Sequence, residues 1–265
     1  MLISDELRKL AEEPVAVLED PPPPGRAIRT PSYILGLAPT PTQAFVSAVR
    51  TTGPELDRTI AEVRGHLRAA GYTRVIWHAG PSSRPEGLAG ALRERGFFPA
   101  TEPPFEPELT AMVLVEPPPA PPPGVSARVV RDFDEYLQSM RIAVSTMGES
   151  DAEDQGWLGA ARALWEPPSG AARLTHVAFV GSEMVGFAWA VLASGGLMLN
   201  GGGVRPEWRG RGAYRALVAA RWETAVTLGQ SALAIQAGAM SRPILERCGF
   251  TSLCRIDVLQ DPEIK

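Results

Sequence analysis

Three closely spaced runs, 173–180, 184–193 and 197–204, are rich in apolar residues that favour strands, and Gly181-Ser182-Glu183 and Gly195-Gly196 separate them as turn signals. Ahead of them the spacing predicts a strand over 125–130 and helices over 132–147 and 151–165, the second stopped by Pro167-Pro168. Behind them it predicts a helix over 214–228 closed by Gly229, a short apolar strand over 233–236, a helix over 241–248 ended by Gly249, and a last strand over 252–259. The order β-α-α-β-β-β-loop-α-β-α-β describes a mixed α/β (α+β) domain.

Two proline clusters punctuate the chain, Pro21 to Pro24 and the run Pro117 to Pro123 followed by Gly124, and the second favours extended polyproline geometry. It divides the sequence into 1–116, a linker over 117–124, and 125–265. An internal repeat crosses that boundary. His78-Ala79-Gly80-Pro81-Ser82-Ser83-Arg84-Pro85 aligns with Gln236-Ala237-Gly238-Ala239-Met240-Ser241-Arg242-Pro243 at an offset of 236 − 78 = 158, with five of eight residues identical. The same offset pairs Gly71 with Gly229, and both copies run on to Gly-Phe, at Gly96-Phe97 and Gly249-Phe250. The first copy is short, because too few residues precede Tyr33 to supply two opening helices.

A length of 265 residues with 45% hydrophobic content is enough for one large or two ordinary domains with a real core. With 26 basic against 30 acidic residues the net charge of −4 gives no field that invites nucleic acid or an anionic membrane surface. The absence of a leader pattern and of a long apolar run leads to the expectation of a cytosolic (cytoplasmic) protein without a membrane association. Cys248 and Cys254 are the only cysteines, too few for a disulfide framework or a structural zinc site, so reduced thiols and no metal are expected.

Chemistry concentrates in Val204-Arg205-Pro206-Glu207-Trp208-Arg209-Gly210-Arg211-Gly212-Ala213-Tyr214, which joins a predicted strand to a predicted helix. Gly210 and Gly212 permit a tight turn and let successive N–H groups point inward at a ligand. The first turn of the following helix leaves further N–H groups without partners, and its dipole adds about half a positive charge. Arg209 and Arg211 add full charges. A nucleotide P-loop needs Gly-Lys-Ser/Thr after the last glycine, where this chain has Ala213-Tyr214, and a dinucleotide fold needs a parallel βαβ opening in place of consecutive short strands. Opposite the loop, the repeat offset places Thr51-Thr52-Gly53-Pro54-Glu55. Pro54 lacks an N–H and Glu55 is an anion, so only the second copy is expected to take a pyrophosphate.

At these residues the chain resembles the GNAT superfamily of N-acetyltransferases, whose acetyl-CoA loop reads Arg/Gln-x-x-Gly-x-Gly/Ala; Arg209, Gly212 and the element order match, over roughly 125–259 and more weakly over 33–114. The resemblance implies a mainly antiparallel sheet flanked by helices, preceded by a truncated, degenerate copy of itself. It implies acetyl-CoA as co-substrate, with Arg209, Gly210, Arg211, Gly212, Ala213 and Tyr214 at the pyrophosphate. Gly203 and Val204 would hold the pantetheine between two strands that splay apart, and Ser241, Leu245 and Arg247 would form the far wall. Tyr214 stands where the family usually has Gly or Ala. Gly238 and Leu245 stand where it commonly has Asn and a thiol-protonating Tyr, which leaves the acid unassigned.

Among possible bases, Glu149, Asp151, Glu153 and Asp154 lie between the two predicted opening helices and read first as caps or solvated charges, as does Glu207 before the loop. His78 and His176 fall in predicted strands and read as core histidines, and Cys248 as a packing residue. Trp157, Leu158, Ala161, Leu164 and Trp165 share a helical face and read as core. Two functional readings follow: an N-acetyltransferase acting on a primary amine of a small molecule or peptide, and a non-catalytic acyl-CoA-binding module. Pairing of the two halves within one chain would mimic a dimer and leave a monomer.

Overall fold

The computed structural model of the chain describes residues 3–18, 26–38, 42–102, 105–147, 158–159, 161–162, 164–165 and 173–264. The strands are β1 (Arg26–Arg29), β2 (Ile34–Leu37), β3 (Ala44–Ser47), β4 (Val75–Ala79), β5 (Phe98–Pro99), β6 (Glu108–Leu114), β7 (Val125–Val129), β8 (Arg173–Val180), β9 (Glu183–Ala193), β10 (Gly196–Val204), β11 (Leu233–Ala237) and β12 (Thr251–Gln260). The helices are α1 (Asp5–Glu12), α2 (Leu56–Ala70), α3 (Leu88–Arg93), α4 (Phe133–Met147), α5 (Ala213–Thr227) and α6 (Arg242–Arg247).

All strands join one sheet in the order β1-β2-β3-β4-β12-β6-β11-β10-β9-β8-β7, with β5 on β12, and pairing is mainly antiparallel. The two halves are interleaved. β6, from before the proline run, inserts between β11 and β12, and β12, the last strand, lies between β6 and β4. The interleaved strand is buried on both faces: Ala111, Met112, Val113 and Leu114 are each at most 1% exposed, as the continuous apolar run of a central strand requires. Residues 117–123 therefore connect two parts of one sheet.

Alternation along each strand divides the core between the two faces. On one face, Leu7, Leu10 and Ala11 of α1 cover Ala111, Val113, Met198 and Ala234, while Tyr136, Met140 and Ala143 of α4 cover Val177, Phe187 and Trp189. Each buried leucine of α1 contributes about 1.5–3 kcal/mol, so this helix fastens the start of the chain to the strands of its second half. On the other face, Leu217, Val218 and Ala225 of α5 and Leu245 of α6 pack on Ala188, Ala190, Leu199 and Ile235. Ala161, Leu158, Leu164 and Trp165 extend the α4 cluster, with the Trp165 ring 5.2 Å from Tyr136.

The repeat is visible in three dimensions. Gly71 and Gly229 both follow a helix in the left-handed conformation, at φ 73° and 76°, where a Cβ would strain the backbone. β3 runs parallel to β4 as β10 runs parallel to β11. The described turns after β4 and β11 each seat a carboxylate: Glu12 accepts from the Ser82 N–H at 2.6 Å, and Glu106 accepts from the Ala239 N–H at 2.6 Å. A Cβ on Gly80 would stand 2.5 Å from Glu12 Oε1, and one on Gly238 would land on the Glu106 carboxylate, which accounts for glycine at both places.

Candidate functional site

β10 and β11 are hydrogen-bonded neighbours only at Leu197↔Leu233 and Met198↔Ala234. Beyond that point β10 continues along β9 to Val204 and β11 continues along β6 to Ala237, so the pair opens into a V toward its C-terminal ends. A β-bulge between Asn200 and Gly202, with Gly201 at φ 57°, lies on the β10 side of the opening. Asn200 is half-buried on the same face as Met198, and its amide has no hydrogen-bond partner among the described residues. In the first copy the corresponding opening is stitched shut: Arg84 N–H donates to Val49 O at 2.9 Å and Thr51 N–H to Arg84 O at 3.3 Å.

Val204 leads through the short 3-10 turn Pro206–Trp208 into the glycine loop. Gly210 and Gly212 take φ 74° and 89°, and Gly212 caps α5 from the left-handed region. The first bond of the helical ladder runs from Ala216 N–H to Gly212 O at 3.0 Å. Among the described residues the N–H groups of Gly210, Arg211, Gly212, Ala213, Tyr214 and Arg215 therefore meet no acceptor. Six successive orphan donors at the head of a 15-residue helix make a concentrated anion-attracting surface. Arg209 braces the loop, its Nε donating to Val204 O at 3.1 Å, and the Arg211 guanidinium lies 4.8 Å over the Trp208 ring. Pro122 packs against the loop from outside: a Cβ on Gly212 would be 2.5 Å from its Cγ.

Other expected site residues are distributed around this core. Gly203 sits against the end of α4, where a Cβ would be 2.6 Å from Thr146 Oγ1. Val204 is buried against Leu217 and Ala213. Ser241 precedes α6 and donates to Gly238 O at 3.3 Å, and Arg247 is exposed at the other end of that helix. Leu245 is fully buried among Met112, Leu114, Ile235 and Cys248, so it packs the core and offers no surface to a ligand. Tyr214 is half-buried, and beneath it lies Arg221, fully buried with its guanidinium carbon 5.9 Å from the Tyr214 ring. Nε of Arg221 donates to Leu217 O at 3.0 Å, while Nη1 and Nη2 make no hydrogen bond among the described residues.

The two strand histidines, His78 and His176, pack within the sheet. His176 is fully buried and its Nε2 lies 2.9 Å from Thr224 Oγ1. The Thr224 hydroxyl proton goes to Ala220 O at 2.8 Å, so Nε2 must be the donor to Thr224, and Nδ1 is left buried without a partner. Burial, with the nearby Arg221 charge, pushes the His176 pKa down to about 3, and burial pushes that of His78 down to about 4. Both rings are neutral at physiological pH. Burial also raises the pKa of both cysteines, which are unbridged. Glu207 is exposed in the 3-10 turn. Glu149, Asp151, Glu153, Asp154 and Trp157 lie outside the described residues. No motif points to Glu106, Arg221 or Asn200; for Glu106 the one signal in the chain is a glycine repeated at the same turn in both copies.

These features define a GNAT N-acetyltransferase fold in tandem form. Among solved structures, a GCN5-related N-acetyltransferase from Kribbella flavida superposes with a TM-score of 0.69 at 18% identity, over 98% of this chain and 97% of that one. A tandem GNAT protein from the clavulanic acid biosynthesis pathway gives 0.62 at 17% identity over 91% and 84%, and a GCN5-related N-acetyltransferase from Sphaerobacter thermophilus 0.60 at 18% over 87% and 76%. Identities this low establish the fold alone. No family model and no curated protein sequence matches the chain. Among the described residues there is no cluster of metal-ligating side chains and no helix long and apolar enough to cross a membrane.

Proposed function

We propose that the chain is an acetyl-CoA-dependent N-acetyltransferase that moves the acetyl group to a primary amine by direct attack in a ternary complex. The observation that carries this reading is the row of six orphan N–H groups from Gly210 to Arg215, set beside the V between β10 and β11. A pyrophosphate supplies the acceptors that these donors lack, with Arg209 and Arg211 alongside. The opened strands offer unpaired backbone groups to the amides of a pantetheine arm. In the transfer the amine nitrogen bonds to the thioester carbon, the C–S bond breaks, and the thiol leaves with the proton given up by nitrogen. The leaving thiol needs little assistance, since its pKa is about 8.5 by analogy with cysteine, so catalysis by positioning alone suffices. The fused first copy, with its V stitched shut, serves as a scaffold within a monomer. A cytoplasmic setting suits the two unbridged thiols.

The reading is tested by release of free CoA thiol from acetyl-CoA across a panel of amines, with CoA affinity measured in parallel by calorimetry. Release with at least one amine is the expected result. The buried Leu245 favours the rival reading, a non-catalytic acyl-CoA-binding module. Tight CoA binding without release for any amine is the outcome that selects it, and absence of binding removes both.

A further inference from the structure

Between the outward stripe of α4 and Arg205, the residue that follows β10, lies a cavity of about 580 Å³. Asp134, Gln138, Arg141 and Ser145 line it at helical spacing, with Leu137 and Ile142 as apolar lining. One end adjoins the V, because Ser145 is next to Thr146, which abuts Gly203, and Arg205 lies two residues beyond Gly203. The cavity thus opens beside the strand end expected to hold the thioester, on the sheet face opposite α5.

Resting on the proposed acetyl transfer, we propose that this cavity receives the acceptor and that its arginines hold a carboxylate on it. The substrate class is then an amine bearing a carboxylate a few bonds away, as in an amino acid or short peptide. Among the described lining residues the charged groups are Asp134, Arg141 and Arg205. Arg205 is already engaged by Glu183 at 3.2 Å. Arg141 has no ion-pair partner among the described residues, and it supplies the uncommitted fork for bidentate carboxylate contact. The volume lies within the range of small-ligand pockets, about 300–1,000 Å³.

The experiment is a binding titration of N-acetylated amino acids and their carboxamides against wild type and Arg141→Gln, followed by ligand-observed NMR. For at least one member of the panel the acid should bind tenfold or more tightly than its carboxamide, and Arg141→Gln should erase the difference. Equal affinity for acid and carboxamide, no binding anywhere in the panel, or a preference that survives in Arg141→Gln overturns the inference. Binding of the products does not require turnover, so CoA calorimetry and thiol release on the same preparation report separately on the proposed function.

Discussion

Lowering the pH from 7.5 to about 5 should cost this protein stability chiefly through His176. The ring is fully buried, its Nε2 proton is committed to Thr224, and its Nδ1 faces no partner, so the folded state holds it neutral down to about pH 3. In the unfolded chain the ring takes a proton at its ordinary pKa of 6.5. The folded pKa is depressed, so the contribution to stability is full above the unfolded value and is lost as pH falls through the window below it. By linkage the loss between pH 7.5 and 5 is about 2 kcal/mol for a single group that titrates only when unfolded. His78, driven to about 4, acts in the same direction, but part of its edge reaches the surface and its share is smaller. The total of about 2–4 kcal/mol is a large part of the usual 5–15 kcal/mol for a folded domain. Glu135, held down to about 2 chiefly by its hydrogen bonds from Arg128, titrates below this window. Urea unfolding at the two pH values measures the drop, and His176→Leu, which fills the site without a proton, should shrink it by about 2 kcal/mol. Equal stability of wild type at both values, or a full drop retained in His176→Leu, would refute the assignment. A neutral His176 also contributes no limb to a pH–rate profile between 5 and 8.

Further expectations follow from individual contacts. Replacing Arg221, whose two terminal nitrogens make no hydrogen bond in the core, with Met should raise stability by about 1–4 kcal/mol, read as a higher Tm in scanning calorimetry; a fall would mean that the contact with the Tyr214 ring outweighs the missing hydrogen bonds. Gly238→Ala should cost about 1–3 kcal/mol in denaturant unfolding by dislodging the Glu106 carboxylate from the Ala239 N–H. Adding Glu106→Ala to it should then cost little more, and additive losses would contradict the clash. Gly212→Ala, at φ 89° and 2.5 Å from Pro122, should weaken CoA binding at least tenfold by calorimetry; unchanged affinity would place the ligand elsewhere.

Local order was legible where short-range chemistry dictates it. The runs over 173–180, 184–193 and 197–204, the helix after Gly212 and the glycine stops at Gly71 and Gly229 could all be read from the chain, because turn residues and apolar spacing act within a few positions. The opening of β10 from β11 followed from the resemblance. Strand exchange was not legible: nothing local in 108–114 specifies insertion between β11 and β12, since pairing of distant strands is set by burial of the whole sheet. The proline run consequently marks a connection within one sheet. Leu245 shows the same limit, because its apolar character fits a ligand wall or a core equally well, and only packing against Met112 and Cys248 decides for the core. Arg221 and Glu106 carry no sequence signature, because a buried charge or a carboxylate docked on a remote turn leaves no periodic trace.

Amide NMR tests the central claim most directly. On titration with CoA, the backbone N–H signals of Gly210, Gly212, Ala213 and Tyr214 should move downfield together as they gain phosphate acceptors, while pantetheine, which lacks the pyrophosphate, should leave them in place. CoA that binds tightly yet leaves those four amides unshifted would contradict the account.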